Sequence, residues 1–466
     1  MKTMSDIIID EPMHFVSGAE RLNYGRSLRE TCVWDMQGEW TVHKDRDLNI
    51  DRIFWQEKNR IPELIPLRHK RMAESPFRFY RGAAIIMAED LASTAQTGII
   101  VQACGDAHIS NFGMFRSPER NLIFDINDFD ETFPGSWEVD LKRLLTSVEL
   151  CGRDRGLLEE HRKEAVLAGA RVYRESMEIL SRMTGIDVWY SQLQIESLFL
   201  KYKDKFDKED AQLISKAIAK AHSKNHEKAV AKLTELKDGR RQFIYDPPLV
   251  IPLKKLDLPS INPGETEKAI KRFLIQYRQS LPRERRTLFN QYKILDIAAK
   301  VVGVGSVGTR CWIVLLEGQQ EQDYLILQLK EATRSVLDLH SKNYGLQSNG
   351  QRIVLGQRAI QTVGDILLGW ASFDDGNLRY DYYIRQLWDG KGSFDLDKVN
   401  PERLAGVAKL CAGVLAHAHA KTGDRHAIAG YLGESEEADK AMARFAVSYA
   451  DQNEIDYELF RKKACC

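Results

Sequence analysis

Between Asp238 and Glu265 the chain reads DGRRQFIYDPPLVIPLKKLDLPSINPGE. Prolines fix φ and remove backbone donors, so neither a helix interior nor a central strand is expected to run through it. The stretch separates two textures. Before it, residues 141 to 236 carry long helix-period patterns, among them LEEHRKEAVLAGARVYRESMEIL and DAQLISKAIAKAHSKNHEKAVAKLTEL, the second with the charges of a solvated face. After it, YKILDIAAKVVGVGSVGTRCWIVLLEG and DYLILQLKEA predict three strands and GQRIVLGQRAIQTVGDILLGW a helix. YDYYIRQLWDG predicts another strand, and PERLAGVAKLCAGVLAHAHAKTGD a closing helix. The expected fold class is α+β, a mostly helical part with a smaller antiparallel sheet. The expected division is an irregular arm over 1–60, a first helical part over 61–245, a linker over 246–290, a sheet part over 291–390, and a helical part over 391–466 that returns to the first.

At 466 residues the chain is long enough for two or three lobes with substantial cores. Lys+Arg and Asp+Glu both number 67 and no block of like charge stands out, so neither nucleic acid nor an anionic membrane is expected as a partner. No apolar segment follows the N-terminal charges of MKTMSDIIIDEPMHF, and no run approaches membrane-spanning length, so a cytoplasmic location is expected. The seven cysteines, Cys32, Cys104, Cys151, Cys311, Cys411, Cys465 and Cys466, are scattered without CxxC spacing and read as reduced thiols. No obligate protein partner is indicated.

Two short strand-like runs, GIIVQAC and NLIFDIND, each end at acids. The first leads into GDAHISN, where Asp106 and Asn111 stand as D-x-x-x-x-N, the spacing with which a kinase catalytic loop places a proton-accepting carboxylate and a metal-binding amide. His108 lies between them. Asp125 follows Asp106 by nineteen positions at the end of an apolar run, with Asp128 and Asp130 close behind. A phosphate-bound Mg²⁺ takes one or two carboxylates plus substrate oxygens, so Asn111, Asp125 and Asp128 are the candidate ligands. The bland alternative is that both segments are polar loop caps.

A third element is Gly303-Val304-Gly305-Ser306-Val307-Gly308. A dinucleotide fold would follow these glycines with a helix, whereas TRCWIVLLEG is β-branched and aromatic. A hairpin tip is therefore expected, with Gly303, Gly305, Ser306 and Gly308 over phosphates. Lys330, in the next strand, is placed to meet those phosphates. Its neighbour Glu331 should point the opposite way, and the following helix offers only Asp365 as an acid, so no partner for Lys330 is evident. Arg78 and Arg81, among Phe77, Phe79 and Tyr80, suit either packing or an anionic ligand. His222 and His226 have helical spacing, but Ser223 stands where a metalloprotease glutamate would be.

GDAHISN followed by IFDINDFDE resembles the paired motifs of aminoglycoside and choline phosphotransferases, members of the protein-kinase-like superfamily. Asp140 in WEVDLKRL resembles the helix acid that braces their catalytic loop. The blocks ELIPLRHKRM, SPFRFYRGAA, GDAHISNFG, DINDFDET, GQRAIQTVGDILLGW, YIRQLWD and LAHAHAKTGD are similar to those of a bacterial family called domain of unknown function 2252. The resemblance implies a protein-kinase-like fold that binds ATP and Mg²⁺ and transfers a phosphoryl group to a small-molecule hydroxyl, with Asp106 and His108 catalytic. It also places Asp424 near the catalytic loop. Because Asp106 precedes the glycine motif by nearly two hundred positions, the fold would be circularly permuted. Cys104 stands where the relatives carry a histidine. A non-catalytic nucleotide-binding protein, a nucleotidyl transferase and, last, a metallophosphoesterase are the alternatives.

Overall fold

The computed structural model describes residues 16–464 apart from 43–45, 47–48, 203–207, 224, 302–304, 341–347, 375–378 and 388–389. Residues 16 to 60 are more regular than the expected arm, with helices at Gly18–Ser27, Trp34–Gly38 and Asn49–Glu57. The segment around Phe79 is helical on both sides of a break at Ala83. Helices α1 (Ile65–Met72) and α2 (Pro76–Gly82) precede it, and Ala84–Leu91 follows. Then come β1 (Ile100–Ala103), β2 (Phe112–Arg116), β3 (Leu122–Ile126) and β4 (Phe133–Ser136), which form two antiparallel pairs, β1 with β4 and β2 with β3. Helices α3 (Trp137–Asp154) and α4 (Glu159–Arg182) complete the first helical part.

The Lys/Ala-rich stretch is not one helix. It divides into Lys208–Ser223 and α5 (His226–Leu233), so His222 and His226 sit on different helices. The hairpin β5 (Thr234–Lys237) and β6 (Arg240–Phe243) follows, then β7 (Val250–Pro252). The expected linker is largely ordered structure. Helix α6 (Pro263–Ser280) begins with Asn262 accepting from Gly264 N and Glu265 N and with Pro263 at its first turn, so the proline that reads as a breaker is a helix starter.

Strands β8 (Lys293–Lys300), β9 (Cys311–Glu317) and β10 (Tyr324–Glu331) form the expected meander. Helix α7 (Asn349–Ile360) follows, shorter than its pattern suggested, then β11 (Gly369–Asp374) and β12 (Arg379–Gln386). The sheet order is β11-β12-β10-β9-β8-β7, with antiparallel pairing throughout. Pro252 is tolerated because β7 is an edge strand. Alternation along β10 sends Leu325, Leu327 and Leu329 into a cluster with Ile270, Phe273, Leu274 and Tyr277 of α6. Ile326, Gln328 and Lys330 therefore face the other way, toward the helical body.

The chain ends with α8 (Pro401–Thr422), the short helix Arg425–Leu432 and α9 (Glu437–Ala464). The most extensive helix packing in the molecule is α8 on α4, and α9 lies on α3. The C-terminal helices thus return to the first part, as the sequence reading expected. In their core Trp137 and Tyr173 are fully buried and stacked, with ring centroids 5.6 Å apart. Truncating such a ring costs about 3–5 kcal/mol. No helix among the described residues is long and apolar enough to cross a membrane. Five cysteines, Cys32, Cys104, Cys151, Cys311 and Cys411, are free thiols and buried.

Candidate functional site

The loop after β1 turns at Gly105, whose φ is +81°. A Cβ there would lie 2.2 Å from the Glu131 carbonyl oxygen, so glycine is needed for the close crossing of the 104–106 and 128–131 loops. Asp140, in the first turn of α3, accepts from Cys104 N at 2.6 Å and Gly105 N at 2.9 Å. The expected brace is present. His419 of α8 approaches the same carboxylate at 3.3 Å and is itself bound to the Tyr173 hydroxyl at 2.7 Å. A histidine does support this loop, but it comes from the far end of the chain and not from position 104.

Asp106 emerges from the turn one-fifth exposed. Arg143 of α3 donates from Nε to Asp106 Oδ1 at 2.6 Å and from Nη2 to the Tyr80 carbonyl, with its guanidinium 4.2 Å from the Tyr80 ring centroid. Burial raises the Asp106 pKa above the usual carboxylate range, with Arg143 opposing it. His108 Nε2 stands 3.6 Å from Asp106 Oδ2. Burial, then Arg81 and Arg143, hold its pKa well below that of an ordinary imidazole, so it is neutral near pH 7. Its Nδ1 is buried without a hydrogen-bond partner among the described residues. Asn111 Nδ2 donates to the Asp106 carbonyl at 2.7 Å, and its own carbonyl accepts from Asn127 N at 2.8 Å, tying the two acidic loops together.

Opposite this loop, Lys330 of β10 is 3% exposed and donates to Asp130 Oδ2, with Asp128 Oδ2 at 3.7 Å. Tyr383 donates its hydroxyl to Asp130 Oδ1 at 2.8 Å, and Ser306 Oγ lies 3.4 Å from Oδ2. Asp130 is therefore spent on the protein, whereas Asp128 is about one-third exposed and, among the described residues, its carboxylate accepts only from Asp130 N at 3.3 Å besides its approach to Lys330. Although burial opposes ionisation, Lys330 and Arg385 hold Asp128 below the usual carboxylate range. Burial and the Asp128 charge raise Asp130. Burial also opposes charge on Lys330, but Asp128 and Asp130 outweigh it and raise the amine well above its ordinary value.

The partner of Lys330 is thus Asp130. Helix α7 contributes an arginine instead of an acid: Arg352 donates to the Asp130, Thr132 and Thr333 carbonyls at 2.8, 2.5 and 2.7 Å, holding the acid loop in place. Glu331 points away, as expected, and pairs with Arg310 at 3.1 Å. Asp365 lies beyond the end of α7, where it accepts from Leu367 N and Gln386 N.

The glycine segment is the tip between β8 and β9, as expected. Gly303 lies outside the described residues. Gly305, Ser306 and Gly308 form a turn pressed against the 57–82 region. Arg68 Nη1 donates to the Gly305 carbonyl at 3.0 Å, Arg60 Nη1 to the Val307 carbonyl at 2.6 Å, and Ile61 N to the Gly308 carbonyl at 2.8 Å. Arg68 is fully buried and paired with Glu57 at 3.1 Å. The Arg81 carbonyl would lie 3.3 Å from a Cβ on Gly305. Its guanidinium sits 5.8 Å from the Phe77 ring centroid, and Nε has no hydrogen-bond partner among the described residues.

Two expected residues are engaged elsewhere. Asp125, at the end of β3, accepts from Ile126 N at 2.8 Å through Oδ1 and from Thr362 N and Oγ1 at 3.0 and 3.1 Å through Oδ2, which pins the segment after α7. Asp424 caps Arg425–Leu432 through Ala427 N at 3.0 Å and pairs with Arg21 at 2.6 Å. Three further cations lie in or beside the site: Arg143, Arg385, whose Nε meets Gln328 Oε1 at 3.2 Å, and Lys391, just beyond β12. Burial, then Arg385, pushes the Lys391 amine down to about 7, with Asp128 pulling upward. Arginine inside a helix and lysine after a strand carry no local signal that would have singled them out.

The donor set suits a phosphate-bound Mg²⁺. Asp128 offers open carboxylate oxygen, and Asn111 donates through nitrogen, which leaves its amide oxygen available. Among the described residues no group of three His, Cys, Asp or Glu forms a closed cage, an arrangement that an ion sharing its ligands with substrate phosphates does not require. No curated protein and no solved structure matches this chain. A family model described as "Uncharacterized protein conserved in bacteria (DUF2252)" matches residues 60–463, and the chain belongs to that family.

Proposed function

We propose that this protein is a phosphotransferase of protein-kinase-like architecture, circularly permuted, which moves a phosphoryl group from a Mg²⁺-bound donor such as ATP to the hydroxyl of a small molecule. The observation that carries the reading is the convergence of Asp106 with Asn111 on one loop, Asp128 on a second, and Lys330 on the third strand of a glycine-tipped meander. These are the parts that phosphoryl transfer uses, and they meet although more than two hundred residues separate Lys330 from the acidic loops in sequence. The strand, helix and two strands that follow the glycine tip supply the framework for Lys330, and α8 closes the circle back to Asp140.

In this reading Asp106 Oδ1 is committed to Arg143, so Oδ2 receives the hydroxyl proton. Burial lifts the carboxylate toward a more useful basicity, while Arg143 fixes its orientation. Neutral His108, with Nε2 3.6 Å from Oδ2, helps to orient that oxygen. Lys330, anchored by Asp130, neutralises donor phosphate. Asp128 and Asn111 would hold Mg²⁺, which supplies charge neutralisation at the phosphates when bound. Ser306 and the glycine tip cover them. A cytoplasmic location accords with the reading.

Asp106→Ala separates catalysis from binding. Nucleotide at roughly a hundred times its Kd stabilises a protein by about 2.7 kcal/mol. The variant should keep that thermal shift with Mg-ATP and lose turnover; unchanged turnover would remove Asp106 from the mechanism.

A further inference from the structure

The sheet face turned toward Asp128 has two chemically different ends. At one end Ala298, Ile313, Leu315, Ile326 and Leu387 are buried against Ala229, Val230 and Leu233 of α5 and Phe243 of β6. The chain itself fills the apolar part. Register places Lys330 opposite Cys311 and Tyr383, and Gln328 opposite Ile313 and Arg385, while Lys300 ends β8 on the face of Ala298. Gln328 donates to Cys311 Sγ at 3.3 Å and accepts from Arg385, so the middle of the face is a hydrogen-bonded polar surface.

A purine or pyrimidine ring needs apolar or aromatic surface on its flat sides. Here that surface is occupied by α5, and the rest of the face bears cations. The side-chain ammonium groups of Lys300 and Lys391, both half-buried, make no hydrogen bond or ion pair with any described residue. Unpaired charge taken partly out of water is costly unless an anion joins it. Lysine ammonium groups serve as point charges for phosphate oxygens, and a chain of phosphates presents such oxygens along its whole length.

We infer that the donor is recognised through its phosphate chain and not through a nucleobase, so that inorganic tripolyphosphate is accepted alongside nucleoside triphosphates, with Lys300, Lys330, Arg385 and Lys391 lining the chain. This rests on the phosphotransferase reading. The terminal anhydride P–O bond breaks as the acceptor oxygen bonds to phosphorus; the hydroxyl proton passes to Asp106, and the donor leaves one phosphate shorter. Burial, then Arg385, lowers the Lys391 amine, and burial lowers that of Lys300, so a bound anion would favour their charged forms.

The test is titration calorimetry of the whole chain with ATP, GTP and inorganic tripolyphosphate, each with Mg²⁺. The three should bind within about threefold of one another, and Lys300→Ala with Lys391→Ala should weaken all three by about tenfold or more. Lys391→Arg, which keeps the charge, should bind all three as the wild type does. ATP bound about thirtyfold tighter than both other ligands would overturn base-indifferent recognition and leave the phosphotransferase standing. Wild-type binding by the double variant would also overturn it. No binding of any of the three would overturn both readings, whereas equal binding without phosphoryl transfer would support the phosphate site and end the transferase.

Discussion

Arg143 Nε meets Asp106 Oδ1 at 2.6 Å, with the arginine 2% and the aspartate 20% exposed. The pair joins the loop after β1 to the interior of α3, and it leaves the other carboxylate oxygen, Oδ2, 3.6 Å from His108 Nε2. Arg143→Ala should destabilise the fold by about 3–5 kcal/mol, because it strips a buried carboxylate of its partner and Tyr80 of its stacked cation. Denaturant unfolding measures this. A loss below about 1 kcal/mol would show that the pair is solvated in solution.

The two acids near Lys330 should behave differently. Asp128→Asn should weaken Mg²⁺ binding in the presence of nucleotide by about tenfold to a hundredfold, with little change in the stability of the free protein. Asp130→Asn should cost about 1–3 kcal/mol of stability, since it loosens Lys330 and Tyr383. Metal titration and thermal melting of both variants separate the roles; interchange of the two phenotypes would contradict them.

The glycine tip offers a contrast within one turn. Gly308 has φ +88° and a Cβ there would approach Arg60 Cβ at 3.1 Å, so Gly308→Ala should cost about 1–2 kcal/mol. Gly305 lacks a positive φ, and its nearest neighbour is the Arg81 carbonyl at 3.3 Å, so Gly305→Ala should cost less. Melting temperatures of the two variants check the order.

Glu131 gives the fold a pH dependence. Burial raises its pKa to about 7, although its contact with Val336 N at 2.8 Å works the other way. The folded chain therefore holds this proton more tightly than the unfolded chain. Its contribution is complete below the unfolded pKa near 4.5 and is lost as pH rises through about 7. Glu131→Gln should melt higher than the parent by a few degrees at pH 8, with the difference shrinking toward pH 5. An equal difference at both pH values would rule out this titration.

Much of the site was legible because it is written in short local motifs. GDAHISN, the glycine tip and Lys330 each follow from spacing within about ten residues and from strand alternation, and Asp140 from the resemblance of WEVDLKRL to a known brace. What escaped depends on packing between distant segments. Arg143 looks like any helix arginine until α2 closes over it, and His419 reaches Asp140 only because α8 returns beneath the loop. Asp125 sat at the right distance from Asp106, yet Thr362 takes one of its oxygens and Ile126 N the other. Pro247, Pro248 and Pro252 read as linker because an edge strand has no sequence signature that differs from a turn-rich connection.

Incubation of the wild-type protein with Mg-ATP and a metabolite extract, followed by mass spectrometry, tests the central claim most directly. The account predicts a metabolite heavier by one phosphoryl group, formed by wild type and not by Asp106→Ala. Nucleotide binding with no phosphorylated product from the wild-type protein, or the same product from both proteins, would contradict it.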